Sequence, residues 1–166
     1  MIFAASSLKG KVQTSVEINP FANQTYVHNF PDVLNMNKNI QKLTKKMIKN
    51  MSVNTILMSP PCQPFTKNGL MKDLEDNRAD PFKFICNLLK EDAMPSVEYI
   101  LMENVRGFDR SNARDLFLET LQAAGFYYQE FIISPTILGV PNTRHRYYCI
   151  ARKSSPFPFA SQDVVS

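Results

Sequence analysis

"TILMSPPCQPFT", residues 55–66, holds the junction on which the fold reading turns. Thr55 to Met58 is a short apolar run and reads as a buried strand. Pro60, Pro61 and Pro64 then fence in a single cysteine, Cys62. Each proline fixes its own φ at about −65° and pushes the residue before it out of the helical region. Cys62 therefore sits on a stiff, non-helical loop at the carboxyl end of a strand, the edge where ligands collect in α/β proteins. A lone cysteine is more often a small buried apolar residue. The loop alone leaves both readings open.

Upstream, "TSVEIN" (14–19) reads as a strand carrying Glu17, and Pro20 suits the first position of a helix. Ile40, Leu43 and Met47 recur at three- and four-residue steps, which predicts a second helix over 39–49. Five lysines (Lys38, Lys42, Lys45, Lys46 and Lys49) share that segment with no acid among them. They read as a solvated helix face or, more sharply, as an electrostatic platform. Downstream, residues 67–81 are polar and short of apolar anchors, a loop long enough to be functional.

"FKFICNLLK" (82–90) reads as a third helix, and "EYILME" (98–103) as a strand covered on both faces. Ser111 or Asn112 can cap a further helix that ends at Gly125, with Leu116, Thr120, Leu121 and Ala124 facing inward. "YYQEFII" and "RYYCIA" complete the strands, and Cys86 and Cys149 are assigned to the core. Strands alternating with helices predict an α/β fold with a largely parallel sheet.

The bulk composition excludes several classes. With 166 residues, 44% hydrophobic and 20% charged, the chain suits one soluble domain with a real core. No apolar run approaches membrane-spanning length, and "MIFAASSLKG" lacks the basic start of a secretory signal. Three scattered cysteines without a CxxC pair argue against a disulfide framework and a metal site, and suggest a reducing compartment. A net charge of +4 is compatible with a nucleic-acid partner.

Three strand ends now carry chemically able residues: Glu17, Cys62 and Glu103, the last in "ENVRGF" (103–108). Arg144 and Arg146 follow in "PNTRHRYY". In this order, "PPCQPF", "ENVRGF" and "RHRYY" resemble the signature motifs of the DNA cytosine-5 methyltransferases. "ILMENVRGF" and "YYQEFIISPTILGVPNTRHRYYCIARK" are most similar to the type-2 homologues, which methylate a cytosine in the anticodon loop of aspartate tRNA. The resemblance runs from about Val12 to Lys153. It implies a Rossmann-like methyltransferase sheet, S-adenosylmethionine as cofactor, a nucleic-acid partner (tRNA, with DNA as the alternative) and a cytoplasmic or nuclear location.

The chemistry suits those residues. Carbon 5 of cytosine is a poor nucleophile until a thiolate adds at carbon 6 and turns the ring into an enamine-like species. Cys62 is the candidate nucleophile. Glu103 would face the N3 side of the ring and would have to supply a proton near neutrality. Arg144 and Arg146, two positions apart on an extended segment, would point the same way and hold the base carbonyl and a nearby phosphate; the bland alternative is a pair of surface salt bridges. By resemblance, Glu17 grips the cofactor's ribose, Ile40 and Gln41 lie on its adenine side, and Ser59 lies just before the cysteine loop. For Ile40, simple core packing is an equal alternative.

The chain also departs from the family. The family's first strand and its glycine-rich cofactor turn have no counterpart, and nothing after Lys153 resembles the target-recognition region. The expectation is a partial catalytic domain over 1–153 and a loose tail over 154–166. Besides the tRNA enzyme, a DNA-directed enzyme of the same superfamily and a non-catalytic nucleic-acid-binding remnant remain open.

Overall fold

The computed structural model describes residues 10–61, 74 and 77–159. They fall into two compact units, divided between Val53 and Asn54.

In the first unit, β1 (Thr14–Glu17) and β2 (Leu34–Asn37) pair in parallel, Thr14 opposite Leu34 and Glu17 opposite Asn37. The helix between them, α1 (Pro20–Asn29), starts where the sequence signals it. Pro20 needs no amide partner there, and the Asn19 carboxamide accepts from the amides of Phe21 and Ala22 at 2.9 and 3.3 Å. β2 has no strand signature of its own, since two of its four residues are asparagines. Its pairing with β1 makes it a strand, helped by a 2.8 Å bond from the Asn35 carboxamide to the Ser15 hydroxyl.

The helix expected over 39–49 is divided. A 3₁₀ turn, Ile40–Lys42, ends at Leu43, and α2 (Lys45–Met51) starts afresh. Thr44 separates them in an extended conformation (φ −77°, ψ 154°), its hydroxyl accepting from the Met47 amide at 3.2 Å. A threonine capping three residues ahead outweighs the apolar spacing that runs through it.

The second unit is a four-stranded sheet in the order β3–β4–β6–β5, made of Thr55–Met58, Tyr99–Val105, Arg146–Arg152 and Tyr127–Ile133. α3 (Asp80–Lys90) joins β3 to β4 as a parallel crossover, and α4 (Asn112–Ala123) carries the chain from β4 to β5. β6 then inserts between β4 and β5, antiparallel to both. The sheet is therefore mixed, which corrects the largely parallel expectation. A parallel return needs a crossover of a dozen residues or more, usually a helix, and between β5 and β6 there is only a 3₁₀ turn, Pro135–Leu138.

One face of this sheet carries the core. Ile100, Met102 and Asn104 alternate with exposed or half-exposed neighbours along β4, and Tyr147, Cys149 and Ala151 do so along β6. Phe82 of α3 and Phe117 of α4 pack ring to ring at 5.7 Å, and Phe82 meets Phe108 edge-on at 5.8 Å. Phe108 in turn lies 5.0 Å from Tyr147. Gly107, at φ 146°, makes the turn that sends Phe108 back under the sheet. Ser111 caps α4 by accepting from the Arg114 amide at 3.1 Å.

On α4, Thr120 and Leu121 are buried as expected, together with Ala113, Phe117 and Leu118. Leu116 and Ala124 are only half-buried, because the inward face centres on Phe117 and not on Leu116. Cys86 and Cys149 are fully buried and unbridged. Burial pushes the Cys86 thiol up to about 11, and burial followed by the charge of Glu130 raises Cys149 as well. Of residues 154–159, Phe159 stacks against Phe131 and Phe157, and Phe157 lies under the Arg152 guanidinium. No helix among the described residues is long and apolar enough to cross a membrane.

Candidate active site

The carboxyl end of β4 brings two of the candidate residues together. Glu103 lies on the half-exposed face, opposite Tyr148, and Arg146 lies opposite Val105, so the two are diagonal neighbours on one face. Arg146 Nε sits 3.2 Å from Glu103 Oε1, with both side chains partly open to solvent. Arg146 Nη1 also donates to the His145 carbonyl at 2.9 Å. For Arg146 the salt-bridge alternative takes a specific form: its partner is the other candidate residue, Glu103.

Arg144 is exposed and precedes the first residue of β6. Its backbone is fixed by Ser134, which sequence reasoning missed. The buried Ser134 hydroxyl accepts from the Arg144 amide at 3.1 Å and donates to the Asn142 carbonyl at 3.4 Å, pinning that segment to the end of β5.

β3 ends beside β4, at Met58 opposite Met102, and the chain runs on through Ser59, which is exposed, to Pro60 and Pro61. Prolines have no amide to continue the ladder. The Asn104 side chain reaches across instead, its Nδ2 donating to the Pro60 carbonyl at 3.4 Å while its Oδ1 accepts from the Val105 amide at 2.8 Å. Asn104 is 2% exposed. A polar residue on the inward register of a strand must find a partner, and that signal was available in "ENV". Cys62, two residues beyond Pro60, lies outside the described residues.

β6 is anchored from beneath. Arg114 grips Glu130 of β5 with two bonds of 2.7 Å, from Nε to Oε1 and from Nη2 to Oε2. The Tyr147 hydroxyl donates to the same Oε1 at 2.6 Å. Burial first, then Cys149 and the bond to Glu130, push the Tyr147 phenol well above its ordinary range; bonding to Glu130 raises Arg114, against burial, which lowers it. The network ties α4, β5 and β6 together one residue from Arg146.

In the first unit, Glu17 ends β1 as an exposed carboxylate with Oε1 held by the Asn19 amide at 2.8 Å. Its carbonyl accepts from the Asn23 carboxamide at 2.9 Å and from the Lys38 amide at 3.1 Å. The register places Asn37 opposite Glu17, so Ile40 and Gln41, just beyond β2, lie at the same carboxyl edge. Ile40 is half-buried and Gln41 exposed. An exposed acid beside a half-apolar turn fits a nucleoside, the acid for a ribose diol and the turn for a base.

The mixed α/β sheet of the second unit thus brings an acid and an arginine together at its edge, beside the segment Ser59–Pro61 that leads towards Cys62. The chain belongs to the family described as C-5 cytosine-specific DNA methylase, which matches residues 3–164. It is 48% identical over 161 residues to tRNA (cytosine(38)-C(5))-methyltransferase of Spodoptera frugiperda, covering 96% of this chain and 48% of that protein. It is 38% identical over 160 residues to DNA (cytosine-5)-methyltransferase of Dictyostelium discoideum, covering 95% and 42%. Among solved structures, a Spodoptera frugiperda DNMT2 mutant superposes with a TM-score of 0.81 at 47% identity, covering 97% of this chain and 48% of that one. The chain thus spans about half the length of the relatives it matches.

Proposed function

We propose that this chain carries catalytic residues of an S-adenosylmethionine-dependent cytosine-5 methyltransferase whose substrate is tRNA, at a cytosine in the anticodon loop of aspartate tRNA. The observation that carries the reading is the Glu103–Arg146 pair at 3.2 Å, on the strand whose next residue, Asn104, bonds the chain leading into Cys62. The similarity to a tRNA (cytosine(38)-C(5))-methyltransferase supports the choice of substrate.

In this mechanism the Cys62 thiolate adds to carbon 6 of the cytosine, and Glu103 donates a proton to the N3 side so that the ring can accept that attack. Arg146, already in contact with Glu103, holds the base carbonyl, and Arg144 reaches a neighbouring phosphate. An anticodon-loop base has no pairing partner to give up, which lowers the cost of bringing it into such a site. Bound S-adenosylmethionine would supply an electrophilic methyl group for carbon 5, after which loss of the carbon 5 proton would expel the Cys62 thiolate from carbon 6 and restore the ring. Glu17 would hold its ribose, Ile40 and Gln41 would contact its adenine, and Ser59 would line the approach to the cysteine loop.

The similarity to a DNA (cytosine-5)-methyltransferase favours duplex DNA as the second reading. Transfer of a radiolabelled methyl group to purified tRNA and to duplex DNA, each with the parent and with Cys62→Ala, tests both. The proposal expects labelled tRNA, abolished by Cys62→Ala with the fold intact. Labelling of DNA alone selects the second reading, and transfer retained by Cys62→Ala rejects the mechanism.

A further inference from the structure

The positive charge of the chain is concentrated in one place. Residues 1–53 hold seven lysines, no arginine and two acids, Glu17 and Asp32, a net of +5. Residues 54–166 hold 12 basic and 13 acidic residues, a net of −1. The whole excess thus belongs to the first unit, and five of its seven lysines fall between Lys38 and Lys49.

The fold of that segment sorts its side chains. Leu43 and Ile48 are buried and Met47 is half-buried, whereas Lys42, Lys45, Lys46 and Lys49 are all exposed. Lys45, Lys46 and Lys49 fall within about 100° of one another around α2, with Met47, Ile48 and Met51 on the other side. Lys42 closes the 3₁₀ turn immediately before it. Two of these lysines occupy the first turn of α2, where the helix dipole disfavours cations, and Lys45 and Lys49 are like charges at four-residue spacing. Such a face works against its own helix, and an anion lying over it turns the repulsion into attraction.

We infer that Lys42, Lys45, Lys46 and Lys49 form a platform for the sugar-phosphate backbone of the RNA substrate, separate from the residues that handle the target base. The choice of RNA rests on the function proposed above. A row of flexible ammonium groups on a short helix reads no sequence, so the platform contributes affinity and salt dependence and leaves base choice to other residues.

The test is tRNA binding by the full 166-residue chain, followed by fluorescence anisotropy across a range of salt concentrations. The parent is compared with a variant combining Lys42→Gln, Lys45→Gln, Lys46→Gln and Lys49→Gln, and with a second carrying arginine at all four positions. Each phosphate contact adds about 0.7–0.9 to the slope of log affinity against log salt, so the glutamine variant should lose about 3 from that slope. Its affinity at about 150 mM salt should fall roughly tenfold or more, and the arginine variant should keep the parent slope. An unchanged slope in the glutamine variant overturns the inference, as does a parent that binds tRNA without salt dependence or not at all. Methyl transfer measured in parallel separates the two proposals. Transfer by the parent together with an unchanged slope sinks only the platform, whereas a lost slope in the glutamine variant upholds the platform whatever the transfer.

Discussion

Arg114→Met should be among the most damaging single substitutions in the second unit. It removes both guanidinium bonds to Glu130, each 2.7 Å, and leaves a carboxylate that is 8% exposed with the Tyr147 hydroxyl as its remaining bonded side chain. Breaking one partner out of a buried ion pair costs about 3–5 kcal/mol. The Arg114 side chain is 26% exposed, so water can reach part of the vacated side, and the loss should fall near the lower end, ~3 kcal/mol. Tyr147→Phe removes one charge-assisted bond while Arg114 Nε still holds the same oxygen, so it should cost less, ~1.5 kcal/mol. Replacing all three together, as Arg114→Met, Glu130→Leu and Tyr147→Phe, leaves no stranded charge and should return to within ~1 kcal/mol of the parent. The chain has no tryptophan, so unfolding in urea is best followed by circular dichroism. At a typical slope of about 1–3 kcal/mol per molar urea, ~3 kcal/mol moves the midpoint by roughly 1–3 M. A triple variant as unstable as Arg114→Met alone, or an Arg114→Met loss smaller than that of Tyr147→Phe, would refute the reasoning.

Glu103→Gln should leave binding of the target base near normal and slow methyl transfer by about a hundredfold or more, because an amide can bond the ring but cannot supply the proton; a variant as fast as the parent would mean that Glu103 only positions the base. Asn104→Ala should cost ~1 kcal/mol of stability and change the alkylation rate of Cys62 in the native protein, since it frees the Pro60 carbonyl; an unaltered rate would separate Asn104 from the cysteine loop. Cys86 has its thiol raised from 9.0 to about 11. A folded-state value above the unfolded one gives stability that is complete below about pH 9 and lost as the pH climbs towards 11. Cys86→Ala should therefore lower stability at neutral pH by ~1 kcal/mol or more yet flatten its alkaline decline by up to ~1.4 kcal/mol per pH unit. An alkaline limb equally steep in parent and variant would show that Cys86 does not ionise there.

Much of this architecture was legible because short-range rules and burial agreed. The runs at 55–58, 98–103, 127–133 and 146–151 and the cap at Ser111 each announced themselves through apolar patterning or a capping side chain, and strands stand at Thr55–Met58, Tyr99–Val105, Tyr127–Ile133 and Arg146–Arg152. Where long-range pairing decided, the sequence was mute. β2 exists only because β1 lies beside it, and the antiparallel insertion of β6 follows from the lack of a helical return. Glu103 and Arg146 were named separately as candidates, but their contact depends on the β4–β6 register, which no local pattern encodes. Asn104 could have been found, since a carboxamide on the inward register of a strand demands a partner.

The insertion of β6 also dictates when the Glu103–Arg146 contact can form. β4 is complete at Val105, yet its neighbour along Tyr99–Val105 is β6, which follows β5 in the chain and ends at Arg152. A chain emerging from the ribosome carries Glu103 on an open-edged strand until β5 has been made and β6 has threaded between the two. Pairings of such long sequence separation are slow to form, and an unpaired edge is exposed to aggregation while it waits. The Glu103–Arg146 contact thus waits on β6, and a chain synthesised only as far as β5 lacks it.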